Sequence, residues 1–197
     1  EPVIWLDVLD LPLAYYLEVS YHLNGTRQDT QPGQGDRAYA RAGVVPTPVF
    51  GRSGKRYPML RYPWVDAKAA LESMAADRPD IDAVQVTYVN PETGDDAENI
   101  LGFYALMLRP GQTLRLPARS PAQVLHPIEG SAEVQVEGAA AFTLAEADTC
   151  AVPGYTAATL SNRSATEPAF IFVADESPLH RKLGVYEERP DNQPRMP

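Results

Sequence analysis

The chain has 197 residues, room for one domain of ordinary size with a substantial arm. Hydrophobic residues make up 44% and charged residues 22%, the balance of an ordinary globular protein. A formal charge of -9 argues against nucleic-acid binding, which needs a basic face to neutralise phosphates.

At the N-terminus no basic stretch precedes an apolar one, so no signal peptide is visible. No apolar run is long enough to span a bilayer. The chain opens on Glu1 rather than Met, which reads as a fragment or processed product. Residues 1–21 form an apolar arm in which Trp5, Leu6, Val8, Leu9, Leu11 and Leu13 are too dense for a lone surface helix. Pro12 interrupts them, and such a segment has to pack onto something. Residues 22–65, rich in Gly, Pro, Gln and Arg, show neither period of regular structure and read as a long surface excursion. Asp66 then caps a helix over 67–76, with Ala70, Leu71 and Met74 on one side and Asp77-Arg-Pro-Asp80 as its stop.

From residue 81 the pattern is that of strands. Val84, Val86 and Tyr88 alternate with polar neighbours, and Asn90-Pro-Glu-Thr-Gly94 makes a turn. The continuous apolar run 100–108 predicts a strand buried on both faces. Short segments follow at 113–116, 123–128, 132–136, 140–144, 149–152, 157–161 and 169–174, a rhythm that predicts a closed barrel or sandwich. The lone Cys150 falls in one of them as a buried thiol; with no internal disulfide to form, it fits a reducing cytoplasm. After Asp175 come one helical turn and a polar, Pro-rich end. The expected division is an arm, loop and helix over 1–80, a barrel over 81–176 and a tail over 177–197.

Within the strand region one spacing stands out. Gly111, Pro117, Arg119, Gln123 and Gly130 follow the intervals Gly-x5-His-x-His-x3-Glu-x6-Gly, and Ala147, Pro153, Ala158 and Asn162 follow those of Gly-x5-Pro-x-Gly-x2-His-x3-Asn. This frame resembles the cupin signature. Gly111, Gly130, Pro153 and Asn162 match it, but the ligand positions hold Pro117, Arg119, Gln123 and Ala158 in place of His, His, Glu and His. The resemblance implies an all-β cupin barrel (a double-stranded β-helix or jelly roll) with an N-terminal arm and a short helix, and no metal bound by this chain.

Flanking blocks narrow the resemblance. Trp5-Leu-Asp-Val-Leu-Asp-Leu-Pro-Leu13, Leu60-Arg-Tyr-Pro-Trp64 with the helix after it, Tyr88-Val-Asn-Pro-Glu-Thr-Gly94, Asp175-Glu-Ser-Pro-Leu179 and Lys182-Leu-Gly-Val-Tyr186 are similar to the second half of gentisate 1,2-dioxygenases and of the related salicylate and 1-hydroxy-2-naphthoate dioxygenases. These are bicupins. The resemblance implies a parent enzyme with Fe(II) held by three histidines in an N-terminal barrel absent here, because imidazoles suit Fe(II) and leave positions open for substrate and O₂. This half carries no ligand set for it.

No other constellation competes. His22, His126 and His180 have no metal-ligand spacing, and strand parity puts His126 on the face opposite Gln123 and Leu125. Arg115 and Arg119 share a parity and, with Gln123, form a candidate pocket for a small anion; the competing reading pairs them with Glu133 or Glu137 at the barrel mouth. Glu92, Asp95, Asp96 and Glu98 lack calcium-loop order and read as a solvated turn. Tyr15, Tyr16, Tyr21 and Trp5 read as packing against another barrel or subunit. No Ser-His-Asp or Cys-His arrangement is visible, so no catalytic residue is assigned.

The expected function is that of the C-terminal, metal-free half of a gentisate-like ring-cleaving dioxygenase, structural by itself and partnered by the N-terminal half in a dimer or tetramer. A free-standing, metal-free cupin binding a small anion is the alternative.

Overall fold

The computed structural model describes residues 5–19, 25, 61–91 and 93–189. The chain divides into two units, Glu1–Arg61 and Tyr62–Pro197. In the first, helix α1 (Leu11–Tyr16) opens with Pro12 in its first turn. Pro12 therefore starts a helix rather than interrupting an arm, since its missing N–H is an orphan of the first turn in any case. Trp5, Leu9, Leu11, Tyr15, Tyr16 and Val19 are exposed. Tyr21 and His22 lie outside the described residues.

The second unit begins with α2 (Trp64–Asp77), an Ala-rich helix of strong formers. It starts three residues before the expected Ala67. Pro63 is its N-cap and Asp66 sits in its first turn, beside the positive end of the helix dipole, without a capping bond. The early start follows from Trp64, whose ring meets Phe170 edge-on at 5.5 Å and whose Nε1 donates to Glu129 at 2.7 Å. The buried stripe is Ala67 and Leu71 with Met74 half-buried; Ala70, expected inside, is exposed. Arg109 holds the far end, donating to the carbonyls of Ala75, Arg78 and Ile81. Because α2 packs on β1 and β2, it belongs with the barrel in the second unit.

Among the described residues nine strands follow: β1 (Val84–Thr87), β2 (Gly102–Leu108), β3 (Thr113–Leu116), β4 (Gln123–Glu129), β5 (Ala132–Val136), β6 (Phe142–Leu144), β7 (Cys150–Val152), β8 (Ala158–Ser161) and β9 (Ala169–Asp175). Helix α3 (Ser177–Leu183) closes the unit, with Gly184 left-handed at its end. The strands form a five-stranded sheet, β1-β2-β9-β4-β7, and a four-stranded sheet, β3-β8-β5-β6, with every pairing antiparallel. The inner faces enclose one core of Leu106, Leu108, Leu125, Val134, Leu160 and Ile171, among others. A second cluster, Leu71, Val84, Ala105, Met107 and Phe170, lies where α2 covers the outer face of the larger sheet. Strand β2, buried on both sides, is the continuous apolar run that the sequence shows.

Candidate functional site

Four turns carry the frame. Gly111 and Gly130 take φ of +69° and +78°, and Ala147 and Tyr155, which stand where the frame has its other two glycines, keep φ of 66° and 55°. At these two positions a non-glycine residue carries the left-handed backbone, which strains an L-residue. Asn162 shows why an asparagine ends the frame. Buried, it donates to the carbonyls of Leu108, Arg109 and Glu167 and accepts from the Ser164 N–H, tying β8 to the end of β2.

At the four ligand positions, Pro117 and Arg119 are half-buried, and Gln123 and Ala158 are buried. Arg119 Nη2 lies 3.2 Å from Asp175 Oδ2, and the Asp175 side chain is wholly enclosed. That carboxylate also accepts from Ser177 N at 2.9 Å, Ser177 Oγ at 2.8 Å and Tyr104 Oη at 3.3 Å. Burial, and after it the Asp175 charge, push the Tyr104 phenol above its ordinary range, so Tyr104 stays a donor. Gln123 is the residue paired with Asp175 across β4 and β9. Gly102, paired with Asp175 on the other side, has no room for a side chain: a Cβ there would lie 2.5 Å from Tyr104 Oη.

Arg115 and Arg119 do not come together. In β3, Leu114 and Leu116 turn inward and Arg115 outward, and the strand ends at Leu116, so the alternation that made the two arginines neighbours stops before Pro117. Arg115 lines a shallow depression on the four-stranded sheet with Gln135, Glu137 and Thr159, whereas Arg119 turns in to Asp175. Glu133 pairs with Arg163. The Arg119 Nε is buried with no hydrogen-bond partner.

The other singled-out residues are dispersed. His126 faces away from Gln123 and Leu125 as parity predicts, its Nδ1 3.0 Å from Thr149 Oγ1. Cys150 is half-buried, and burial pushes its thiol above the ordinary range. In the acidic loop, Asp96 meets Arg181 at 2.6 Å.

One grouping escaped sequence reasoning, because it joins residues 60 apart. His180 Nδ1 lies 2.9 Å from Ser120 Oγ, and its Nε2 lies 4.0 Å from Glu176 Oε2. Ser120 is buried and its Oγ already accepts the Glu187 N–H, which makes it a structural link rather than a presented nucleophile.

This site does not fit a metal. Proline and alanine offer no donor atom, and Arg119 places a cation where a cation would bind. Among the described residues no three His, Cys, Asp or Glu side chains converge. Nor is any described helix long and apolar enough to cross a membrane.

Two packed antiparallel sheets with this turn frame define the class: an all-β cupin barrel. By sequence, this cupin is a relative of the gentisate 1,2-dioxygenases. It is 70% identical over 189 residues to a gentisate 1,2-dioxygenase of a Ralstonia species, a match covering 96% of this chain and 53% of that protein. It is 27% identical to a 5-aminosalicylate 1,2-dioxygenase of a Comamonas species, over 95% of this chain and 50% of the relative. The structure of salicylate 1,2-dioxygenase from Pseudaminobacter salicylatoxidans superposes with a TM-score of 0.73 at 22% identity, over 93% of this chain and 54% of that one. No family model matches the chain. The chain spans about half the length of the curated relatives it matches.

Proposed function

We propose that this chain is the C-terminal, metal-free half of a ring-cleaving dioxygenase acting on a hydroxylated aromatic acid of the gentisate kind. The observation that carries the reading is the replacement of the ligand set by Pro117, Gln123, Ala158 and the Arg119–Asp175 ion pair, in a chain that aligns with about half of a gentisate 1,2-dioxygenase. In this reading the iron and the oxygen chemistry belong to an N-terminal barrel, and this half is structural. Its exposed Trp5, Leu9, Tyr15 and Tyr16 supply apolar surface for that barrel or for a further subunit of a cytoplasmic oligomer.

The test is direct. The purified chain should contain no stoichiometric iron by elemental analysis and should not consume O₂ with gentisate and added Fe(II). It should form a stable complex with the remaining half of the Ralstonia relative. Iron at one equivalent, or ring cleavage by the chain alone, would overturn the reading.

A second reading, a metal-free barrel that binds a small anion, has the unpartnered Arg119 Nε in its favour. Calorimetric titration with gentisate separates the two: binding that Arg119→Met abolishes supports the anion site, and absence of heat removes it.

A further inference from the structure

The segment Glu187–Arg189 runs along Ala118–Ser120 as a short added strand. Ser120 N donates to Glu187 O at 2.8 Å, Arg189 N donates to Ala118 O at 2.8 Å, and Arg119 and Glu188 face each other as a bridge. Two side chains fasten this strap. Tyr155 lies under the Arg189 guanidinium at 4.6 Å. Ser120 Oγ accepts the Glu187 N–H at 3.0 Å while lying 2.9 Å from His180 Nδ1. Tyr155 lies in the loop between β7 and β8 and Ser120 in the loop between β3 and β4, and these loops touch: Tyr155 N donates to Arg119 O at 2.5 Å.

We propose that Ser120 and His180 form a proton-operated latch that holds the strap on the barrel when the imidazole is neutral and releases it on protonation. The Glu176 carboxylate faces Nε2, which favours the tautomer with its proton there and leaves Nδ1 as an acceptor. Ser120 then donates its hydroxyl to Nδ1 and offers its lone pairs to the Glu187 N–H, so the Glu187 N–H, the Ser120 hydroxyl and His180 Nδ1 are all satisfied. A proton added to Nδ1 turns it into a donor. Ser120 must then accept from both sides, and its own hydroxyl proton is left without an acceptor in a site only 7% exposed. The imidazolium gains the Glu176 carboxylate instead.

The charges around His180 leave this balance to the latch. On its own helix, Arg181 and Lys182 reach away to Asp96 and Asn99. From the loop before β4 Arg119 is turned to Asp175, and from the strap Arg189 lies over the Tyr155 ring while Glu187 is joined to Ser120 through its backbone.

Hydrogen exchange of the intact chain tests this between about pH 8 and pH 5, the interval in which an imidazole takes up a proton. Rates are corrected for intrinsic exchange and referenced to the β9 amides. Protection of the Ser120, Glu187 and Arg189 amides should fall about tenfold across the interval, the worth of one hydrogen bond. His180→Asn, whose Oδ1 stands in for Nδ1 as a permanent acceptor, should abolish that pH dependence. Protection that is flat in the wild type, or that falls equally in H180N, would overturn the proposal. A direct reading of the ring by nitrogen NMR of the unsubstituted chain stands beside it. The Nε2–H tautomer at neutral pH supports the latch, and the Nδ1–H tautomer removes it.

Discussion

Arg119 reaches Asp175 across 56 residues of chain, and the two are unequally enclosed: the aspartate side chain is inaccessible, the arginine side chain 19% exposed. Removing either member of a buried pair strands the other, but the consequences differ here. Asp175→Ala orphans donors on Arg119, Ser177 and Tyr104 together and should destabilise the chain by about 3–5 kcal/mol. Arg119→Met leaves the carboxylate its Ser177 and Tyr104 donors and should cost about 2 kcal/mol. Urea unfolding of the two variants checks the order; equal losses would show that the neutral donors contribute nothing.

Ala147 adopts φ 66° at a frame position where glycine would rest without strain. Ala147→Gly should raise stability by about 0.5–1 kcal/mol, relief of the left-handed conformation outweighing the added unfolded-state freedom. Tyr155→Gly relieves the same strain but discards the ring that lies under Arg189, so no gain is expected there. Thermal denaturation of both variants distinguishes backbone strain from side-chain contacts.

Glu129 accepts from Trp64 Nε1 and from Lys68, at 2.7 and 2.5 Å. Lys68 first, and then the Trp64 hydrogen bond, hold its carboxyl below the ordinary glutamate range. A carboxyl lowered in the folded state contributes stability above its unfolded value, and that contribution is lost as pH falls through the folded value. In a Trp5→Phe background Trp64 is the only tryptophan, so its emission should step at a pH below the ordinary glutamate range. Glu129→Gln should remove the step.

A Cβ built on Gly154 would lie 2.6 Å from the Ser120 carbonyl oxygen, a backbone atom that cannot rotate away. Gly154→Ala should therefore cost about 1–3 kcal/mol, since the loops must separate to admit it. Its unfolding midpoint, compared with that of an alanine at exposed Ser131, measures the closeness of the two loops.

The strands were legible because their polar and apolar residues alternate or run continuously between turn residues. Segments 113–116 and 132–136 agree with β3 and β5 at both ends, and the others differ by a residue or two. The helix start was not legible, because the reason for it is Trp64 meeting Phe170, more than a hundred residues away. The same applies to the candidate site. It was the resemblance to the cupin signature that marked Pro117, Arg119, Gln123 and Ala158 as the ligand positions. What takes the ligands' place was hidden, since Asp175 lies far along the chain and parity arguments fail once Pro117 ends β3. Ser120 and His180 gave no signal for a similar reason: only the fold brings a strand-end loop against the last helix.

The two outer faces of the barrel differ. One is clad by α2, where Phe170 is locked between Trp64, Lys68 and its cluster neighbours; the other displays Thr113, Arg115, Gln135 and Thr143 to solvent. Drift should therefore be lopsided around the barrel. The bare sheet can exchange one polar residue for another almost silently, while the clad sheet can change only in concert with its helix. A family tree drawn from β3, β5 and β6 alone would place its branches farther apart than one drawn from β2 and β9.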